Sequence, residues 1–292
     1  MKVSAFELND PVPELNEPHA FAVLRPWINV GSAGSLALEA IEAKVDAQQL
    51  GGLAKPGMFY DFTRYRPHTY ISEGRRVIEK PNTYINYARM PGKNDLVFFY
   101  LKEPHMFGEF YSASVVKVLR RLGVTRYILM GGMYDSVPHT RPLIVSGSAT
   151  GMGEKLLKER GIQSSNYEGP GTITHLIAQE ASQHGIETIT LVVHLPQYTQ
   201  LDDDYMAQFR LLELLSADYD LPIDLESISE QAQEQYREIS IAVEREPQLK
   251  RVVHRLEQYY ESQSSKPSEE SPKLSPEIEN FLNDINKGFN QD

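Results

Sequence analysis

Apolar positions in this chain come in two alternating kinds, short unbroken runs and stripes spaced three and four residues apart, so the pattern reads as strands separated by helices. Asp95 to Leu101, DLVFFYL, is an unbroken run suited to a strand buried on both faces. Phe107, Phe110, Tyr111, Val115, Val118, Leu119 and Leu122 then share a helical face that Gly123 stops. Tyr127 to Met130 follows as another buried strand, breaking at Gly131 and Gly132 into a loop that carries Asp135, His139 and Arg141. Small residues from Ser146 to Gly151 form a second glycine-rich loop, leading into a short helix from Gly153 to Arg160. Thr172 to His184 repeats the scheme, with Ile173, Leu176, Ile177 and Ala181 on one face, Gly185 as its stop and Thr188 to His194 as the next strand. Upstream, Trp27 to Val30, the glycine turn Gly31 to Gly34, and Leu38, Ile41 and Val45 read as strand, turn and helix. This alternation predicts a three-layer α/β sandwich, with helices on both faces of a mostly parallel or mixed central sheet.

The same pattern divides the chain. Residues 1–20 are proline-rich and acidic and predict an arm extended over the surface, and residues 21–225 form the α/β core domain. Within the core, Glu73 and Gly74 between Thr69 to Ser72 and Arg75 to Glu79 predict a hairpin, and Thr83 to Met90 a strand. Tyr205, Phe209, Leu212 and Leu215 form an amphipathic helix started by Asp202, Asp203 and Asp204, which suit N-capping better than a metal. Residues 226–261 are charged and helical, with a break near Pro247, and predict a helical hairpin packed on the core. Residues 262–276 have the composition of a flexible linker. In 277–292, Ile278, Phe281, Leu282, Ile285 and Phe289 share one helical face. So short a helix folds only against a groove, in its own oligomer or in another protein; the alternative is a frayed tail.

Composition narrows the function classes. The chain has 292 residues, 41% of them hydrophobic, enough for a substantial core. A net charge of -11 disfavours nucleic acid and anionic membranes as partners. With 0 cysteines there is no disulfide, thiolate nucleophile or Cys-ligated zinc. The opening MKVSAFELND lacks a signal-peptide layout, and no apolar run approaches the ~20 residues of a membrane helix, so a soluble, cytoplasmic protein is expected.

Candidate chemistry is thin. GSAGS lacks the third glycine of a dinucleotide fold and the Lys-Ser/Thr of a phosphate-binding loop, and no GxSxG or HExxH is present. The remaining pool is His105, His139, His175 and His194 with Asp135, Glu154 and Glu168, and Ser146 and Ser148, from which a His-Asp-Ser set can be drawn. Asp135, His139, Glu168 and His175 are the acid-base candidates; Gly31, Gly34, Gly131, Gly132, Gly147, Gly169 and Gly171 are the candidates for holding an anionic group on free amides, unless they serve only tight turns. The Gly147 and Gly169 loops are expected to converge on one edge of the sheet. Tyr60, Arg64, Tyr65, Arg66, His68 and Tyr70 mix aromatics with cations, which suits a subunit interface ahead of an anion site. No cofactor or metal is expected.

Four stretches together resemble the proteasome assembly chaperone family in its bacterial and archaeal branch: PWINVGSAGSLAL, RYILMGGMYDSVPHTRPLIVSGSAT, YEGPGTITHLIAQEASQHGIETITLVVHLPQY and FRLLELLSADYDLPIDLESI. The resemblance implies a phosphorylase- or hydrolase-like three-layer fold, assembly with copies of itself, and function through protein contact without catalysis. Eukaryotic members escort proteasome α-subunits, while many bacterial members have no established role. The chain ends Phe289-Asn290-Gln291-Asp292 in place of the hydrophobic-Tyr-X ending of proteins that dock on proteasome rings, so insertion into such a ring is not expected. The competing reading is a small-molecule enzyme, hydrolase, phosphorylase or ligase-like, that binds an anionic group at the glycine loops.

Overall fold

The computed structural model describes residues 1–165 and 167–264. In chain order its strands are β1 (Lys2–Val3), β2 (Phe6–Leu8), β3 (His19–Arg25), β4 (Gln48–Leu53), β5 (His68–Ser72), β6 (Arg75–Glu79), β7 (Tyr84–Ala88), β8 (Leu96–Lys102), β9 (Arg126–Asp135), β10 (Val145–Ala149), β11 (Gln163–Ser164) and β12 (Glu187–Pro196). The helices are α1 (Ala33–Glu42), α2 (Gly108–Leu122), α3 (Gly153–Glu159), α4 (Ile173–Gln183), α5 (Tyr205–Tyr219), α6 (Leu225–Arg245) and α7 (Pro247–Ser264). Among the described residues one ten-stranded sheet runs β1-β2-β4-β7-β8-β3-β9-β12-β10-β11. The strands with the longest apolar runs, β8, β3, β9 and β12, are parallel and central. Antiparallel pairing takes over at β7 on one side and β10 on the other, so the sheet is mixed.

Successive residues of the central strands point to opposite faces, and both faces are covered. Tyr111, Val115 and Leu119 of α2 and Ile177 and Ala181 of α4 pack on Ala20, Ala22, Phe99, Tyr127 and Leu129. On the other face Leu38 and Ile41 of α1, Leu157 of α3, Leu211 and Leu215 of α5 and Tyr236 of α6 meet Phe21, Val23, Phe98, Ile128, Met130 and Leu191. These are the three layers that the alternation of runs and stripes predicts. The α5 start is capped by Asp204, whose Oδ1 accepts from the Ala207 amide at 2.9 Å. Helix α7 is tied to the loop after β9, where Thr140 Oγ1 donates to Glu257 Oε1 at 2.6 Å and Arg141 pairs with Glu257 and Glu261. Among the described residues no helix is long and apolar enough to cross a membrane.

Four local expectations differ from the structure. The first central strand is β3, upstream of Trp27 to Val30, because HAFAVLR is the run buried on both faces; Trp27 lies in the following turn and is 58% exposed. Strand β9 does not break at Gly131 and Gly132 but continues to Asp135. Those glycines are needed for a close parallel pairing with the segment after β3: the Gly132 amide donates to Ile28 O at 2.9 Å, and a Cβ on Gly131 would lie 2.1 Å from that carbonyl. Gly147 is likewise inside a strand, β10, where a Cβ would lie 2.5 Å from Thr190 O. The first part of the N-terminal arm is not laid over the surface: β1 and β2 extend the sheet, and Phe6 and Leu8 are buried, whereas residues 9–18 form no strand or helix. The β5–β6 hairpin forms with Glu73 at φ 50° and Gly74 at φ 74°, the two positive values that a tight hairpin turn requires, and stands apart as its own two-stranded sheet. The tail positions Ile278, Phe281, Leu282, Ile285 and Phe289 lie outside the described residues.

Replacing Gly131 with Ala forces β9 and the Ile28 segment apart. Chemical denaturation of Gly131→Ala is expected to show a loss of about 2–3 kcal/mol, the range for overpacking a closed contact.

Candidate functional site

Strands β9, β12 and β10 bring Asp135, His194 and Ser146 together. Parallel pairing sets Asp135 opposite Pro196, and antiparallel pairing sets Ser146 opposite Val192. His194 lies two residues from each of those partners, so all three side chains rise from one face as diagonal neighbours. His194 Nδ1 is 2.7 Å from Asp135 Oδ2, and Nε2 is 2.7 Å from Ser146 Oγ. Burial on its own would push the Asp135 carboxyl up, yet the hydrogen bonds from His194 and from the Ser136 amide at 2.6 Å hold it below the usual carboxylate range. An ionised Asp135 therefore accepts the Nδ1 proton, which leaves Nε2 to accept from the Ser146 hydroxyl.

This is the proton relay of a serine nucleophile in its connectivity. Its setting is different. Ser146 lies within β10 and is paired on both sides, with Val192 of β12 and Gln163 of β11. Amides in such ladders point along the sheet to neighbouring strands, whereas acyl transfer needs donors turned toward the oxygen that becomes negative.

The other acid-base candidates are elsewhere. His139 is buried in the loop after β9 and pins that loop to α6. Its amide donates to Tyr198 OH at 2.8 Å, the phenol approaches Nδ1 at 2.5 Å, and Nε2 lies 3.0 Å from Ser240 Oγ. Burial lowers the His139 pKa, with Glu257 opposing. His175 caps its own helix, accepting at Nδ1 from the Thr172 amide at 3.2 Å. Glu168 is exposed in the loop before α4. Asp135 thus meets none of these three but pairs with His194, which in turn meets Ser146, both members of the wider sequence pool that the registers of β9, β12 and β10 select. A Cβ would meet Leu195 and Asp204 at Gly31, Met130 O at Gly34, Ile28 O at Gly131, Leu195 and Val30 O at Gly132 and Thr190 O at Gly147, so these glycines serve close packing. Gly169 and Gly171 lie in the exposed loop against Tyr167 and His175. Because Gly147 lies within a strand, there is no second glycine loop at that position to meet theirs.

A second feature lies at the carboxyl ends of the central parallel strands. Trp27 after β3, Met106 and Phe107 after β8, Phe110 on the first turn of α2 and Leu176 on α4 are all exposed, Phe107 by 61%. Phe110 stacks on Phe59 with centroids 6.0 Å apart, Met58 beside it is exposed, and the Met106 amide donates to Phe59 O. Gly108 lies close to Ile173, which joins the α2 and α4 ends of this surface. Exposed apolar side chains gathered in this way mark interaction surfaces more often than catalytic ones.

A family model described as the PAC2 family matches residues 23–243. The chain belongs to the PAC2 family. The match takes in the relay, the His139 pin and the apolar surface at the strand ends. A comparison with curated proteins gives no match. Among solved structures, this PAC2 chain is similar to a protein of unknown function from Corynebacterium glutamicum, with a TM-score of 0.79 and 21% identity, covering 89% of this chain and 98% of that one. It is also similar to a proteasome-assembly chaperone homologue from Mycobacterium tuberculosis, with a TM-score of 0.71 and 25% identity over 80% and 99% of the two chains. A proteasome activator from Pyrococcus furiosus shares the fold, with a TM-score of 0.62 and 18% identity over 82% and 99%.

The His139 pin generates a pH dependence. Its folded pKa lies below that of the unfolded imidazole, ~6.5, so as pH falls through that value the unfolded chain takes up the proton first and stability declines. Urea midpoints measured between about pH 7.5 and about pH 5.5 should fall less in His139→Gln than in the unaltered PAC2 chain, because the variant removes this one contribution.

Proposed function

We propose that this PAC2 protein is a self-associating, non-catalytic interaction protein that acts through protein contacts in the manner of an assembly chaperone. The carrying observation is the exposed apolar surface of Trp27, Met58, Met106, Phe107, Phe110 and Leu176 at the strand ends. Family membership and the similarity to a proteasome-assembly chaperone homologue support the reading. A stable contact between copies needs to bury roughly 1,000 Å² or more, and aromatic residues of this kind serve as anchors for it. Two copies of net charge -11 repel one another, so association driven by apolar contact should strengthen as salt screens the charges.

Sedimentation velocity tests this directly. Association is expected to rise with ionic strength and to weaken by at least about tenfold in Phe107→Asn combined with Trp27→Ser. Phe107 has φ 54°, a value that Asn tolerates, which separates loss of contact from loss of fold. A chain that stays monomeric at every salt and concentration sinks the reading.

The Ser146–His194–Asp135 relay favours a second reading, an acyl-transferring hydrolase. Ser146 Oγ would bond to an ester carbonyl carbon while His194 takes its proton and returns it to the departing alcohol, and water would then release the acid. A fluorophosphonate probe is expected to label Ser146 and to fail on Ser146→Ala under this reading. Absence of label on the folded chain removes it.

A further inference from the structure

A cleft of about 370 Å³ opens beside the carboxyl ends of β3 and β8. Arg25, Arg66, Lys80 and Lys102 line it with His68, against the carboxylate of Glu79. In a chain of net charge -11 this is a local reversal of sign, and a concave site with low-dielectric walls concentrates such a field. Two of these cations, Arg25 and Lys102, are also held in place. Arg25 and Lys102 are register partners at the ends of two parallel strands. Arg25 donates through Nε to Ser35 Oγ and through Nη2 to Glu39 Oε1, each at 2.8 Å, and lies over the Tyr100 ring; neither bond uses Nη1. Lys102 is half-buried with Nζ 5.3 Å from the centre of the Tyr65 ring, and no carboxylate among the described residues forms an ion pair with it. Burial and the Arg25 charge both lower the Lys102 pKa, as expected of an ammonium group whose counter-charge is missing.

Tyr84, Tyr100 and Asn82 complete the walls with aromatic faces and an amide. His68 and Glu79, opposite one another at the open end of the β5–β6 hairpin, form the outer rim. The volume falls within the range of small-molecule sites.

We propose that this cleft binds a small molecule carrying a phosphate or carboxylate group, with Lys102 and Arg25 holding the oxyanion and the tyrosine walls receiving the body of the ligand. The site is separate from the Ser146 relay and lies beside the apolar surface of the proposed self-association, and its test reads ligand binding, which neither of those readings requires.

The test is calorimetric titration of the full chain with inorganic phosphate, AMP and citrate, at an ionic strength held constant with sodium chloride. Saturable binding of at least one is expected. AMP binding tighter than inorganic phosphate identifies the phosphate with a stacked body as the source, and citrate binding tightest identifies a carboxylate. Lys102→Gln should weaken the best ligand by about tenfold or more, and the exposed rim variant Lys80→Gln, which the fold tolerates, by a smaller factor. Circular dichroism confirms that both variants are folded. Binding unchanged in Lys102→Gln overturns the proposal, as does the absence of saturation by all three at millimolar concentration. Binding of an oligoglutamate peptide alone also overturns it, in favour of an acidic segment of a partner protein.

Discussion

The fold depends on a close backbone approach that a side chain would forbid. Where the segment after β3 pairs in parallel with β9 at Asn29 and Gly132, the Ile28 carbonyl occupies the space of a Cβ at Gly131 and accepts from the Gly132 amide. Two further contacts hang from that approach. Gly34 lets α1 begin against Met130 O, and Gly31 O accepts from the Asp204 amide at 2.8 Å. Asp204 in turn caps α5 and accepts from Tyr236 OH of α6 at 3.0 Å. Burial holds the Asp204 pKa above the usual carboxylate range, with the hydrogen bonds from the Ala207 amide and Tyr236 opposing it. One closely packed backbone contact thereby orders four elements, β9, α1, α5 and α6, around a single point of the sheet.

The polar face of β12 and β10 and the apolar surface at the strand ends make different demands on the same scaffold. The relay of Ser146, His194 and Asp135 is rigid because three ladders hold it, and that rigidity also directs its amides away from the serine. The apolar surface is built on turns and first helical turns, where side chains are free to project. In an α/β protein, ligands and partners usually meet the carboxyl ends of the parallel strands. Here that region carries aromatic residues and, beside them, the cationic cleft.

Much of the architecture was legible in the sequence because both periodicities are strong. DLVFFYL, the α2 stripe and Gly123 each correspond to the element that their pattern predicts, and Glu73-Gly74 specifies its hairpin. What failed to read correctly was glycine. Gly131, Gly132 and Gly147 resemble loop glycines in one dimension, but each lies in a strand where another backbone passes close by, a contact made by residues distant in sequence. For the same reason the sequence could offer His194 and Ser146 as part of a pool but could not join them to Asp135. That pairing depends on strand register, which is fixed by tertiary packing and leaves no local signature. His139 and His175 drew notice as histidines near glycine loops, and they serve as a buried pin and a helix cap.

Among the described residues the sheet ends in two-residue strands, β1 at one margin and β11 at the other. Such stubs expose too few unpaired amides and carbonyls to template a neighbouring strand. A chain that displays aromatic side chains to its surroundings is thus kept from extending its sheet edge to edge into a neighbour, and contacts between surfaces are left to side chains.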